Sequence, residues 1–304
     1  AVVHNGIIEN HAELKAELTN EGYKFSSQTD TETVAHLLEK YYRGNALQAV
    51  LSVVNRLSGA FALAIVTRRG EIFAVKYRSP LIVGKGKDCS FVSSDARCIS
   101  NGCQAVAYLS DKTVCKLWGG NIEGYSFDGK PRHLTFSAPC ATAKAAPSGD
   151  KMLAEICDIP LGLRAVADGY RFGKLFSKSK ADKIRRVYFV GCGTAYNSGL
   201  AACAAARKFV PVDCSAIYAS EFIYDYYPCG ADTLTIFISQ SGETADTVRA
   251  AEKAIALGAV ACAVTNTVCS TLARLCSFSV DVHAGAEYAV ASTKAYNCQL
   301  ATLI

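Results

Sequence analysis

The chain has 304 residues, which at ~150 residues per domain is about two domains and excludes a small scaffold held together by staples. Half of its residues are apolar and 19% are charged, below the ~25% of typical domains, which excludes a disordered, self-repelling chain. With 32 Lys and Arg against 27 Asp and Glu the net charge is +5, and the basic residues are scattered, so charge makes no case for nucleic acid.

Taken in order, Asn10 to Glu21 and Thr31 to Tyr42 carry helical apolar spacing, with Asn10 and Asp30 as caps. Strand-like runs follow at Phe61 to Thr67, Glu71 to Tyr77, Leu81 to Gly84 and Ser90 to Ser93, broken by glycines. The expectation is an α+β domain with antiparallel hairpins. Residues 136–150 shift to Ser, Ala, Pro, Gly and Lys and read as a linker. Beyond them, Val187 to Val190, Cys214 to Tyr218, Leu234 to Ile238, Val260 to Val264 and Phe278 to Val282 alternate with helical segments, the pattern of a doubly wound parallel sheet. Such sheets bind ligands beyond the carboxyl ends of their strands, which directs attention to the turns after Val190, Ile238 and Val282.

Ala254 to Leu257 and Ala259 to Val264 are separated by Gly258 and fall far short of the ~18 apolar residues of a spanning helix. A soluble, cytoplasmic protein without membrane contact is expected. The 14 cysteines lie scattered in apolar runs, as at Cys203, Cys262 and Cys276, and read as free thiols serving as small hydrophobes in a reducing compartment. The chain opens at Ala1 without methionine and stops in mid-pattern at Leu303-Ile304, so it is read as an internal piece.

The first turn, Gly191-Cys192-Gly193-Thr194-Ala195-Tyr196, runs into an alanine-rich helix. It is either a plain tight turn or a close backbone approach to an anion; Tyr196 stands where a dinucleotide fingerprint needs its third glycine. The second, Ser239-Gln240-Ser241-Gly242-Glu243-Thr244-Ala245-Asp246-Thr247, sets four hydroxyls and an amide around one glycine at a strand-to-helix junction. A simple cap needs one such residue, so phosphate binding is the favoured reading. No Walker lysine follows the glycine and no acidic pair suits Mg²⁺; a small phosphorylated metabolite is expected, with no cofactor and no metal. Glu287 to Ala295 offers Ser292 on the same side of the sheet, and Lys294, which is either a solvated or structural lysine or a site residue.

These strings, together with Val290-Ala291-Ser292-Thr293-Lys294-Ala295, resemble the isomerising glutamine:fructose-6-phosphate amidotransferases. The first ~135 residues resemble the later part of an N-terminal-nucleophile, class II glutaminase domain of four-layer αββα type, through His4-Asn5-Gly6-Ile7-Ile8-Glu9-Asn10 and Thr29-Asp30-Thr31-Glu32. The resemblance implies a partial glutaminase domain over residues 1–135, a linker over 136–165, in which Ile159 replaces the usual glutamine, and a first sugar isomerase domain over 166–304, cut short at its end. It further implies Asn5 and Gly6 as an oxyanion hole and Asp30 as the partner of the glutamine α-amino group. Without it, Asn5-Gly6 reads as a hairpin turn and Asp30 as a helix cap. In the sugar domain it implies Thr194, Ser239, Gln240, Ser241, Thr244 and Ser292 as sugar-phosphate ligands, with backbone from Cys192, Gly193 and Val290. Ala195 stands where serine is common, which removes one hydroxyl worth ~0.5–1.5 kcal/mol.

The implied whole enzyme moves the amide nitrogen of glutamine to fructose 6-phosphate and isomerises the product to glucosamine 6-phosphate, the first step toward UDP-N-acetylglucosamine, and is a homodimer. Its N-terminal cysteine nucleophile and its second isomerase domain are not in this sequence, so the piece by itself is expected to bind rather than to turn over. The rival reading is a phosphosugar-binding regulatory protein without amidotransferase activity. It accounts for residues 187–304, but not for Asn5-Gly6 together with Asp30.

Overall fold

The computed structural model describes residues 1–99, 102–139, 149–169 and 181–304; residues 140–148 of the expected linker lie outside them. The chain divides into two compact units, Ala1–Ala143 and Lys144–Ile304.

The first unit runs β1 (Val2–Ile8), α1 (His11–Asn20), α2 (Asp30–Tyr41), α3 (Ala46–Val54), β2 (Gly59–Val66), β3 (Ile72–Tyr77), β4 (Ile82–Lys85), β5 (Ser90–Ser93), a 3₁₀ turn (Ala96–Ile99), β6 (Ala105–Tyr108), β7 (Thr113–Trp118), β8 (Asn121–Ser126), β9 (Pro131–Arg132) and β10 (Phe136–Ser137). Two antiparallel sheets result, ordered β1-β2-β3-β7-β8-β9 and β10-β6-β4-β5. Period-two alternation sorts the side chains of the first sheet. Phe61, Leu63, Ile65, Phe73, Val75 and Val114 pack against Leu14, Leu18, Val34, Leu37 and Val50 of the helices. The opposite face carries the small residues Ala62, Ala74 and Cys115, which pack with Leu81, Val83 and Ala107 of the second sheet. On the far side of that sheet Ile82 and Val106 pack with Ile99 and Cys103.

Beyond the strands after Ser93 (β6 to β10), which the sequence reading does not name, it also misses β1 and α3. Strand β1 contains Asn5-Gly6, which reads as a turn but pairs with Ala62 and Phe61. Gly6 holds φ +120°, and a Cβ there would run into the Ala60 carbonyl. Helix α3 is rich in valine and alanine, and an apolar run of that kind does not separate helix from strand by periodicity; the Asn45 side chain caps it by accepting from Gln48 N at 3.3 Å. Both expected caps are corrected. Asn10 makes no side-chain cap and instead donates to Arg56 O at 2.8 Å and accepts from Ser58 N at 3.0 Å. Thr29 occupies the cap position of α2, and Asp30 is the first helical residue.

The second unit runs α4 (Lys151–Cys157), α5 (Ile159–Gly169), β11 (Arg186–Gly191), α6 (Thr194–Phe209), β12 (Asp213–Tyr218), α7 (Ala219–Tyr224), β13 (Thr233–Ser239), α8 (Ala245–Ala256), β14 (Val260–Thr265), α9 (Thr271–Leu275), β15 (Phe278–Asp281) and α10 (Lys294–Leu303). Its five strands are all parallel in the order β12-β11-β13-β14-β15, the doubly wound sheet the strand–helix alternation predicts. One face packs Phe189, Ile238 and Val264 on Ala202, Ala295 and Cys298; the other packs Val190, Phe237 and Ala263 on Phe222, Ala250 and Leu272. Strand order reverses between β11 and β13, and a ligand crevice opens at such a switch point.

Cys103, Cys115, Cys203, Cys214 and Cys298 are buried free thiols, as small hydrophobes should be; Cys269 departs from the expectation and is disulfide-bonded. No helix among the described residues is long and apolar enough to cross a membrane.

Candidate functional site

At the switch point, β11 ends in Gly191, where a Cβ would press on Ile238 O at 3.0 Å, and Gly193 (φ +55°) turns the chain into α6. The loop after β13 is braced from within. Ser239, 2% exposed, accepts from Gly242 N at 3.0 Å, and its hydroxyl lies 3.0 Å from Thr244 Oγ1. Glu243 N donates to Ser241 Oγ at 3.1 Å. It is also clamped from the next crossover: Thr265 Oγ1 and Asn266 N donate to Gln240 O, Leu272 N to Gly242 O, and Thr271 N to Glu243 Oε1 at 2.7 Å. A loop held at this many points presents its hydroxyls without having to order them on binding.

The segment before α10 is held by two acids. Glu155 of α4, 1% exposed, accepts from Tyr288 N and from Ala289 N, the latter at 2.9 Å. Glu287 accepts from Thr293 N at 2.7 Å and Ala295 N at 3.2 Å. The Thr293 hydroxyl lies 2.7 Å from Glu155 Oε2 and 3.0 Å from Glu287 Oε1, so it donates to one carboxylate at a time. Lys294, 6% exposed, pairs with Asp158 Oδ2 at 3.1 Å; of its two readings the geometry favours the structural one. Burial alone would raise the pKa of Glu155, but the Tyr288 N–H, the Thr293 hydroxyl and the Ala289 N–H outweigh it and hold the group below its ordinary 4.5.

That direction fixes a pH dependence. A carboxylate whose folded pKa is lowered stabilises the fold above its unfolded pKa, and the contribution is lost as pH falls through the folded value. The urea midpoint of the second unit is therefore expected to drop between pH 4.5 and more acidic solution, and less steeply in Glu155→Gln. Equal slopes for the two proteins would show that Glu155 is not part of the acid transition.

Helix starts and hydroxyls enclose an open cavity of about 150 Å³. It brings together Thr194, Ser239, Gln240, Ser241, Thr244 and Ser292, with Cys192 and Ala195 beside them. Gly193 and Val290 are not on its wall, and Val290 is fully exposed. No lysine or arginine lines it among the described residues. Neutral hydroxyls and the N-terminal ends of α6 and α8 are what an anion would meet. The sequence reading passed over Gln299, which lines the cavity from α10, and Glu155, whose partners lie 133–138 residues away.

In the first unit, Asn5 and Gly6 are exposed on β1. Asp30 is tied to that strand: Ile8 N donates to its Oδ2 at 2.9 Å, and His4 Nδ1 lies 3.3 Å from its Oδ1. Burial pushes the Asp30 pKa up, but the Ile8 N–H and His4 ring more than reverse it, so the carboxyl sits below its ordinary 3.8. The structure thus puts Asn5, Gly6 and Asp30 in one β1–α2 corner. His4, its side chain 4% exposed and its Nε2 without a partner, is the residue there that sequence reasoning did not single out as functional.

Family models match both units: a glutamine amidotransferase domain over residues 1–101 and a SIS domain over 182–303. Along 100% of its length the chain is 40% identical to the glutamine–fructose-6-phosphate aminotransferase [isomerizing] of Aquifex aeolicus and 38% identical to that of Clostridium acetobutylicum. It spans about half the length of these curated relatives, 52% in each case. A solved structure, the C-terminal domain of glucosamine-fructose-6-phosphate aminotransferase from Francisella tularensis, aligns at 34% identity and a TM-score of 0.48, over 53% of this chain and 47% of its own. The chain carries a glutamine amidotransferase domain followed by a SIS domain, and from end to end it is a homologue of the isomerising glutamine–fructose-6-phosphate aminotransferases.

Proposed function

We propose that the second unit binds fructose 6-phosphate, and that the chain is the part of an enzyme that passes the amide nitrogen of glutamine to that sugar and isomerises the product to glucosamine 6-phosphate. The observation that carries the reading is the cavity at the switch point, where Ser241, Thr244, Thr194 and Ser292 converge beside two helix N-termini. Ser241 and Thr244 hold the phosphate, with Ser239 bracing them and completing the cradle, while Thr194, Gln240 and Ser292, and backbone from Cys192, take the sugar; Gly193 and Val290, off the cavity wall, have no part in this reading. In the first unit, Asn5 Nδ2 and Gly6 N–H donate to the oxyanion of glutamine hydrolysis, a stabilisation of ~2.7–4 kcal/mol per donor. Asp30 receives the substrate ammonium in a charge-assisted bond. The whole enzyme is a cytoplasmic homodimer in this reading. The match over residues 1–101 weighs against a regulatory phosphosugar binder, which has no use for a glutamine amidotransferase domain.

Ser241→Ala removes a hydroxyl that would serve a charged phosphate, a bond worth ~1.5–3 kcal/mol, so fructose 6-phosphate is expected to bind about 10- to 150-fold more weakly. Thermal-shift titration of the two proteins checks this. Equal affinities would remove the loop from the site.

A further inference from the structure

Gln299 is 1% exposed on α10, and its Oε1 is buried without a hydrogen-bond partner. Gln299 nevertheless lines the cavity that holds Thr194, Ser241 and Ser292. A buried amide carbonyl with no donor is destabilising, and its place on a ligand wall indicates where the donor comes from. The dianionic phosphate of a phosphate monoester offers only acceptors, so it cannot satisfy Oε1; a sugar hydroxyl can.

The geometry points to Gln299 as the residue that accepts a hydrogen bond from a sugar hydroxyl and so separates a phosphosugar from a bare anion without donors at this site. The inference rests on the phosphosugar reading above. It assigns the two ends of the ligand to different chemistry: hydroxyl and N–H donors of the Ser239–Thr247 loop for the phosphate, and the Gln299 carbonyl for the polyol.

The test uses the full chain and two probes, fructose 6-phosphate and inorganic sulfate, a tetrahedral dianion with acceptors only, titrated by calorimetry against wild type, Gln299→Met and Gln299→Leu. Both variants fill the space without a carbonyl acceptor. Expected are a loss of about tenfold or more for fructose 6-phosphate, an unchanged affinity for sulfate, and an apo thermal midpoint equal to or above wild type, because an unpaired carbonyl has been removed. An equal loss for both probes, no loss for either, or unfolded variants would overturn the assignment, since each means that the amide serves the fold or nothing at all. Wild type that binds neither probe would instead sink the phosphosugar reading itself, and this inference with it.

Discussion

Replacing Glu155 with alanine is expected to lower the stability of the second unit by roughly 2–5 kcal/mol, since each donor left unpaired away from water costs ~1–3 kcal/mol. Two donors lose their acceptor, Tyr288 N and Ala289 N, while the Thr293 hydroxyl turns to Glu287 Oε1 at 3.0 Å. The corresponding fall in thermal midpoint is roughly 10 °C for a unit of this size. Glu155→Gln keeps one carbonyl acceptor and should lose about half as much. Affinity for fructose 6-phosphate should fall along with stability, because the residues released are the ones that hold Ser292 at the cavity. Unfolding followed by tryptophan-independent far-UV circular dichroism, with and without the sugar phosphate, reads both effects. A Glu155→Ala protein as stable as wild type would show that solvent replaces the clamp.

The second large effect is expected at Gly242. Its φ is +66°, and an added Cβ would meet the Ser270 hydroxyl, the Ser270 Cβ at 2.5 Å and Thr265 Oγ1 at 3.0 Å. Gly242→Ala therefore combines a left-handed backbone, about 1–2 kcal/mol, with a clash against a residue that caps α9 through Ala273 N. The loop has to shift, and its hydroxyls with it, so sugar-phosphate binding is expected to weaken by about 100-fold or more. Gly193→Ala is the control. It too has a positive φ, +55°, but nothing lies within 4 Å of its Cβ, so only the backbone cost of ~1–3 kcal/mol applies. If titration finds Gly242→Ala no worse than Gly193→Ala, the packing against Ser270 is not what sets the loop.

The second unit was the more legible from sequence. Its strands are covered on both faces, so they read as continuous β-branched and apolar runs, and all five fall where Val187 to Val282 place them, to within about a residue at each end. The Ser239–Thr247 loop was legible because four hydroxyls exceed what a cap requires. Other features could not be read. Strand β1 was obscured by Asn5-Gly6, which reads as a turn; in the structure the glycine is there because the partner strand's Ala60 carbonyl comes too close for a Cβ. Asp30 reads as a cap because it opens a helix, whereas its partners are Ile8 N and His4, more than 20 residues back. Gln299 in an amphipathic helix is indistinguishable from any polar residue at the core edge until the cavity is seen.

The Glu155 clamp has a consequence for the order of assembly. Its carboxylate and the Tyr288 N–H are 133 residues apart in sequence, so the contact closes a very long loop, and long-range contacts of this kind form late. A nascent chain can pair β11 with β12 and β13 and cover that sheet in part, with Ala202 of α6 on one face and Phe222 and Ala250 on the other, while the Ser292 wall is still unmade. Binding competence therefore arrives with α10, and a ligand present during folding acts on the docking of that helix.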